Sequence, residues 1–285
     1  MTRLISFGHG YSARALARRL LPQGWDIAGT TRNPDKTEDL RADGVTPLPW
    51  DRTAIEAALD GTTHLLISAG PTEAGDPTLA LMGAALRDRA DQFTWVGYLS
   101  TTGVYGDHGG AWVDEDTALT PGTERGARRV AAEAAWADQG LPVHTFRLAG
   151  IYGPGRGPFE KVRQGTARRI IKPGQVFSRI HVDDIAQVLE ASITRPDPGA
   201  VYNVCDDDPA PPQDVLSFAA RLLGRPEPPA MNFEDTDMAP MARSFYAESK
   251  KVRNNRIKTE LGVTLRHPDY RSGLRALLAA EALAD

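Results

Sequence analysis

The chain has 285 residues, enough for one or two domains with a buried core. Its composition, 41% hydrophobic and 25% charged with a net charge of -4, is typical of a soluble globular protein and disfavours nucleic-acid binding. The single cysteine, Cys205, excludes an intramolecular disulfide and a cysteine metal cluster, and we expect no metal site. No apolar run reaches the roughly 18 residues of a membrane span, and no leader peptide is visible, so we expect a cytoplasmic protein without membrane or nucleic-acid partners.

The N-terminal stretch predicts a dinucleotide-binding corner. The apolar run at residues 4–7 has the length of a strand, residues 8–13 fit the pattern G-x-G-x-x-A, and an amphipathic helix follows. In such a unit the glycines permit a tight turn and a close approach of the pyrophosphate, and the helix N-terminus offers free N–H groups. The predicted coenzyme contacts here are Gly8, Gly10, Tyr11, Ser12 and Ala13.

The end of the second predicted strand indicates which dinucleotide is bound. An NAD site usually carries an acidic residue about 20 residues after the glycines, whereas this chain has Arg32 in that region. A guanidinium can pair with a 2′-phosphate, so we predict NADP, with NAD as the alternative, although a solvated loop arginine is also compatible with the sequence. Asp51, after the third strand, either contacts the adenine or caps the helix that follows.

Strand and helix patterns continue to alternate along the chain. A fourth strand runs into Ala69 and Gly70, and a fifth ends in the hydroxyl-rich run STTGVYG at 100–106. An alanine-rich helix with Trp136 follows, then a sixth strand, and Asp183 is placed to cap a later helix. This alternation predicts an α/β fold with a doubly wound parallel sheet, a Rossmann fold.

Composition shifts suggest how the chain divides. We predict a dinucleotide-binding domain over 1–151 and 177–206, and a small C-terminal substrate-binding lobe over 152–176 and 207–285, together one continuous unit. Residues 227–244 carry proline and methionine and are expected to be irregular, followed by closing helices. A homodimer through helices at about 77–89 and 124–139 is also expected, because Trp136 would lie on an outer surface.

Several motifs occur together at the spacings of one family. They are GHGYSA at 8–13, LSTTGVYG at 99–106, RLAGIYGPG at 147–155, RIHVDDIA at 179–186 and VYNVCDD at 201–207. With them the chain resembles the extended short-chain dehydrogenase/reductases, the NAD(P)-dependent epimerase/dehydratase family, over nearly its whole length.

The resemblance implies roles for single residues. Thr101 would orient the substrate carbonyl or alcohol, and Arg179 and His181 would lie near the substrate. The glycine turn would hold the pyrophosphate and Arg32 the 2′-phosphate. The other implied coenzyme contacts are Asp51 at the adenine, Ala69 and Gly70 at the ribose, and Tyr152, Gly153 and Pro154 beside the nicotinamide.

The chain departs from the family at its acid–base pair. The family's Tyr-x-x-x-Lys pattern falls on Arg125 and Arg129. Arginine stays protonated, so neither residue can exchange a proton readily at neutral pH, although Arg129 could hold the ribose as lysine would. The candidate replacement donors are Tyr98, Tyr105 and His181.

Two functions are compatible with these features. The first is an atypical NAD(P)-binding oxidoreductase or epimerase/dehydratase that acts on a sugar-like or other small carbonyl compound. The second is a catalytically inactive NADP(H)-binding sensor or scaffold. The glycine turn supports both, Thr101 and Arg179 favour the first, and the arginine pair favours the second.

Overall fold

The computed structural model describes residues 2–283. Its strands are β1 Arg3–Phe7, β2 Asp26–Thr31, β3 Thr46–Pro49, β4 His64–Ile67, β5 Trp95–Thr101, β6 Trp112–Val113, β7 Val143–Leu148, β8 Gly150–Tyr152, β9 Arg169–Ile171, β10 Arg179–His181, β11 Val201–Val204, β12 Ala230–Asn232 and β13 Lys251–Val252. Its α-helices are α1 Tyr11–Leu20, α2 Thr37–Ala42, α3 Arg52–Ala58, α4 Pro77–Arg87, α5 Glu124–Ala137, α6 Phe159–Arg163, α7 Val182–Thr194, α8 Pro212–Leu222, α9 Pro240–Phe245, α10 Asn255–Thr259 and α11 Tyr270–Glu281. Within residues 2–283, no helix combines the length and the apolar character that crossing a membrane requires.

Seven strands form one parallel sheet in the order β11-β7-β5-β4-β1-β2-β3. Ile5 of β1 lies between Ala28 of β2 and Leu65 of β4. The strand order reverses between β1 and β4, and the carboxyl edge at such a reversal is where doubly wound sheets bind ligands. The predicted Rossmann-type α/β fold is therefore confirmed.

Hydrophobic clusters cover both faces of the sheet. Successive residues of β1 alternate between them, with Leu4 in one cluster and Ile5 in the other, as the two-residue period of a strand requires. Trp136 of α5 is fully buried in the second cluster, with its ring 6.1 Å from that of Tyr98. The prediction that Trp136 lies on an outer surface is wrong, and the argument for a dimer built on it no longer holds.

The remaining strands form small parallel pairs, β10 with β8, β12 with β9 and β13 with β6. A third cluster joins residues of α6, α8 and α11 around Tyr152 and Phe159. The segment 227–244, expected to be irregular, contains β12 and α9, because β12 pairs with the distant β9 and not with a local partner. Residues 252–265 pack with the main sheet.

A buried polar network seats α5 on the sheet. The Glu133 carboxylate of α5 pairs with the Arg147 guanidinium of β7 at 2.8 Å, and their side chains are only 9% and 7% exposed. Ser100 donates to Glu133, and Arg147 donates to the Tyr105 hydroxyl at 2.9 Å. Tyr105 in turn donates to Asn203 at 2.7 Å. These bonds fix the rotation and depth of α5 against β5 and β7.

Replacing Arg147 by Met should destabilise the fold by about 3–5 kcal/mol, because the Glu133 carboxylate would stay buried without its partner. Urea unfolding measures the change in the free energy of unfolding. The control is Arg128→Met, whose ion pairs with Glu73 and Glu124 involve largely exposed carboxylates and should contribute about 0–1 kcal/mol. Equal losses in the two variants would contradict a structural role for the buried pair.

Candidate functional site

The turn after β1 meets the requirements of a pyrophosphate site. Gly8 has a φ of 79°, and a Cβ atom there would lie 2.9 Å from the backbone nitrogen of Ala69, so glycine is needed for both the turn and the approach to β4. Gly10 precedes α1, and no side chain of the described residues caps that helix. Ser12 and Ala13 are buried in its first turn. The uncapped helix N-terminus therefore lies at the carboxyl edge of the sheet, where it can stabilise an anion.

The structure brings Tyr11 together with the loop after β8. The Tyr11 hydroxyl donates to the Pro154 carbonyl at 3.0 Å, and a side chain on Gly153 would collide with that hydroxyl. Tyr152, by contrast, is buried, with its ring edge-on to His181 at 5.2 Å. Tyr11, Gly153 and Pro154 thus form one bridge from α1 to this loop, whereas Tyr152 packs inside.

Arg32 is exposed after β2 and lines a cleft of about 560 Å³. The residues lining the cleft also include Thr31, Pro34, Thr37, Arg41 and Trp50. Asp51 accepts a hydrogen bond from the Ala54 amide at 2.9 Å and so caps α3. The helix-cap interpretation of Asp51 therefore describes its geometry, and its contact with adenine stays a prediction.

His9, inside the glycine turn, was not among the predicted site residues. Its ring is buried, and neither ring nitrogen has a hydrogen-bond partner among the described residues. Burial lowers the pKa of His9 to about 4, so the imidazole is neutral at pH 7. A Cβ atom on Gly29 would lie 2.7 Å from His9, which shows that a glycine inside β2 makes room for this ring. In the sequence, the feature that could have pointed to a buried His9 ring is therefore Gly29 inside the second strand.

Arg129 of α5 reaches back to the carboxyl ends of two sheet strands. Its Nη1 donates to the Leu99 carbonyl at 2.6 Å and to the Tyr98 hydroxyl at 3.1 Å. Its Nη2 lies 3.3 Å from where a Cβ atom on Gly70 would be. The guanidinium therefore sits between the exits of β4 and β5, and the missing side chain at Gly70 leaves space beside it.

Arg125, one turn earlier on α5, is exposed, and its guanidinium carbon lies 4.8 Å from the centre of the Phe245 ring. Phe245 ends α9 and was not predicted to belong to the site. Thr101, at the end of β5, accepts a hydrogen bond from the Gly103 amide at 3.1 Å. That bond uses a lone pair of the hydroxyl oxygen, so the hydroxyl proton stays free for another acceptor.

The predicted replacement donors are held in other roles. Tyr98 is fully buried, and burial raises its pKa to about 12. Burial also raises the pKa of Tyr105, whose hydroxyl belongs to the network beneath α5. Burial lowers the pKa of His181 to about 4. At pH 7 both phenols are therefore protonated, and their hydroxyls form hydrogen bonds inside the protein. The His181 imidazole is neutral.

A Tyr-x-x-x-Lys sequence does occur elsewhere, at Tyr246 and Lys250, but not on a helix. The Tyr246 ring packs against Phe177 and Phe233, and burial raises its pKa. The Lys250 ammonium donates to the Gly106 carbonyl at 2.6 Å. Because α9 ends at Phe245 and Lys250 lies outside any helix, tyrosine and lysine lack the shared helical face that positions them in the family pattern.

Arg179 is enclosed at the edge of the lobe. Its Nη1 donates to the carbonyls of Phe177 and Ala210 at 2.9 and 3.0 Å. Beside it, burial raises the pKa of Asp206 to about 8, although the Arg179 charge opposes that rise. The geometry gives Arg179 bonds within the protein, and its contact with substrate stays a prediction, as does that of His181.

His181 and its neighbours include the one group of side chains in the described residues with metal-ligand geometry. Ligand atoms of His181, Asp183 and His267 lie within 4.8 Å of one another. The Arg266 guanidinium lies 4.0 Å from the Asp183 carboxylate, and the cluster sits at the N-terminus of α7. The Arg266 charge and the positive end of the α7 dipole both disfavour the binding of a cation at this cluster.

The cap of α7 is His181, whose Nδ1 accepts a hydrogen bond from the Asp183 amide at 3.2 Å. The prediction that Asp183 is the cap is therefore wrong.

Comparison with known proteins agrees with this geometry. The family model of the NAD dependent epimerase/dehydratase family matches residues 4–205. A solved structure of a conserved protein from Silicibacter pomeroyi is 64% identical, with a TM-score of 0.95 over 98% of this chain and 99% of that one. Protein YeeZ of Escherichia coli is 28% identical, covering 94% of this chain and 97% of YeeZ. A 3-diazoavenalumate denitrifying reductase from Streptomyces sp is 30% identical, covering 57% of this chain and 58% of that protein.

Replacing Arg32 by Ala should remove most of a preference for NADP⁺ over NAD⁺. Charge-assisted hydrogen bonds contribute roughly 1.5–3 kcal/mol, so the preference of the unaltered protein should be about tenfold or more. Calorimetric titration with each coenzyme measures it. Arg52→Ala is the control, because Arg52 pairs with Glu56 on the surface of α3. Equal affinities of the unaltered protein for the two coenzymes would contradict the role of Arg32.

Proposed function

We propose that this chain, which belongs to the NAD dependent epimerase/dehydratase family, is an NADP(H)-dependent reductase of a small carbonyl compound or related electrophile that takes its proton from water. The observation that carries the proposal is the Thr101 hydroxyl at the end of β5, whose proton is free to donate to an acceptor. The arginine pair on α5 is the reason for taking the proton from water. Arg129 lies between the exits of β4 and β5, where the family's lysine would hold the ribose. Arg125 stands at the tyrosine position and cannot exchange a proton near neutral pH.

The residues present fit the coenzyme. The uncapped N-terminus of α1, with Gly8 and Gly10 before it, would hold the pyrophosphate, and Arg32 would hold the 2′-phosphate. The remaining donors of Arg129 would hold the nicotinamide ribose beside Gly70. When bound, the reduced coenzyme supplies a hydride.

The chain's own residues then orient the acceptor. The Thr101 hydroxyl, whose oxygen accepts from the Gly103 amide, has its proton free to donate to a carbonyl oxygen. General acid–base catalysis contributes about 100- to 10,000-fold, and Arg125 does not provide it. The reaction should therefore favour electrophilic acceptors, which accept a hydride before they need a proton. One relative bears the name of a reductase, which supports this direction of reaction.

The same arginine pair favours a second candidate, an NADP(H)-binding sensor or scaffold without turnover. Such a protein would keep the coenzyme contacts of Arg32 and Arg129 and need nothing at Arg125. The two candidates make opposite predictions for the reduction of electrophilic carbonyl compounds.

The unaltered protein should reduce 1,2-dicarbonyl compounds with NADPH but oxidise simple alcohols with NADP⁺ at no more than a trace rate, because removing the alcohol proton needs a base. Absorbance of NADPH measures both directions. The double variant Arg125→Tyr with Arg129→Lys restores the family pattern and should raise alcohol oxidation. Tyr246→Phe and Arg125→Ala should leave the reduction of an uncharged dicarbonyl compound, which has no carboxylate or phosphate, within a few-fold.

Three outcomes would count against a reductase that takes its proton from water. Fast alcohol oxidation that disappears in Arg125→Ala would show that arginine acts in proton transfer, and would contradict the proposal. Loss of dicarbonyl reduction in Tyr246→Phe would identify a relocated tyrosine donor and contradict it as well. Tight NADPH binding without reduction of any acceptor would favour the sensor.

A further inference from the structure

The Arg125 guanidinium is a positive charge for which the described part of the chain supplies no counter-ion. It is exposed, and the group against it is the uncharged ring of Phe245. Arg128, three residues further along α5, pairs with both Glu73 and Glu124. The Glu73 and Glu124 carboxylates are thus directed to Arg128, and the Glu248 carboxylate, which lies near Gly122, pairs with Lys250.

A second uncompensated charge lies one turn away on the same face of α5. Arg129 uses its Nη1 for the neutral oxygens of Leu99 and Tyr98, and none of the described carboxylates forms an ion pair with it. Like charges at this spacing repel each other and destabilise a helix. The positive end of the helix dipole adds to the field at Arg125, which is in the first turn. An anion bound at Arg125 would offset the charge of Arg125, its repulsion with Arg129 and the positive end of the helix dipole.

The ring of Phe245 leaves the guanidinium ready for such an anion. The guanidinium carbon lies over the ring in a cation–π contact, and none of the Arg125 N–H donors has a hydrogen-bond acceptor among the described residues. A planar fork of this kind matches the paired oxygens of a carboxylate or a phosphate. Phe245 therefore contacts the guanidinium without using its donors.

The backbone beside Arg125 lies next to the turn that Thr101 caps. A Cβ atom on Gly126 would be 2.8 Å from the Gly103 carbonyl oxygen, so the start of α5 is pressed against the turn at Thr102–Tyr105. Gly103 is also the residue whose amide binds the Thr101 hydroxyl. The start of α5, which carries Arg125, and the turn that holds the Thr101 hydroxyl are therefore in direct contact.

We propose that Arg125 binds an oxyanion group of the substrate, a carboxylate or a phosphate, so that the position of the family's proton-exchanging tyrosine has become a site of substrate recognition. That the bound anion is part of a substrate rests on the proposed reductase function; the anion site itself does not. Phe245 acts as a positioning residue, and the occupied site links α9 of the lobe to α5.

Calorimetric titration of the full chain tests the site, with malonate and inorganic phosphate as separate probes. Saturating NADP⁺ is included so that phosphate cannot bind at the N-terminus of α1. At least one probe should bind, and which of them binds distinguishes a carboxylate from a phosphate preference. Arg125→Gln should weaken that binding about tenfold or more, and Arg125→Lys by less, because lysine keeps the charge but loses the fork.

The matched control is Arg128→Gln, which removes the same charge from the same helix but from a paired side chain, and should change the affinity less than about twofold. Phe245→Leu should weaken binding several-fold through loss of the stacking partner. Failure of both probes to bind, or equal weakening in Arg125→Gln and Arg128→Gln, would overturn the proposal.

The two proposals fail separately. If NADP⁺ does not bind or no acceptor is reduced, the reductase is lost, and the comparison of Arg125→Gln with Arg128→Gln, made without coenzyme, still decides the anion site. If reduction occurs but anions bind without regard to Arg125, the anion site alone is lost.

Discussion

The buried ion pair between Glu133 and Arg147 fixes the helix on which the candidate chemistry depends. Both side chains are nearly inaccessible, and the pair is bonded to Ser100 of β5 and Tyr105 of the following turn. A buried pair gains little net stability over apolar residues, but breaking it is costly, so it specifies geometry. It sets the rotation of α5 and thereby places every residue on that face.

That face carries a gradient of environments at four-residue intervals. Glu133 is buried in its ion pair, Arg129 is half-buried against Leu99, and Arg125 is exposed against Phe245. The inner position is structural, the middle one lies where a ribose would be held, and the outer one faces the lobe. In the proposed function, two arginines in place of a tyrosine–lysine pair would keep a cation on the coenzyme side of the helix and change the charge and protonation of the substrate side.

Much of this arrangement could be predicted from sequence, because the signals were local. The order of strand, glycine turn and helix at residues 8–13 predicted the Rossmann corner, and motif spacing placed Arg129 correctly on α5. Long-range packing was not predictable in this way. Trp136 is apolar on an amphipathic helix whose buried face could not be assigned, and Phe245 reaches Arg125 only because α9 folds over α5 from more than a hundred residues away.

The central claim is that the protein keeps a coenzyme site although the residue at the proton-exchanging position has changed. A crystal structure of the protein with NADP⁺ tests this claim most directly. The coenzyme should lie across the carboxyl ends of β1 and β4, with the pyrophosphate at the N-terminus of α1 and the Arg129 guanidinium within hydrogen-bond distance of the nicotinamide ribose. Arg125 should remain stacked on Phe245 without touching the coenzyme. Density elsewhere, or an Arg125 guanidinium bonded to the nicotinamide half, would contradict the assignment.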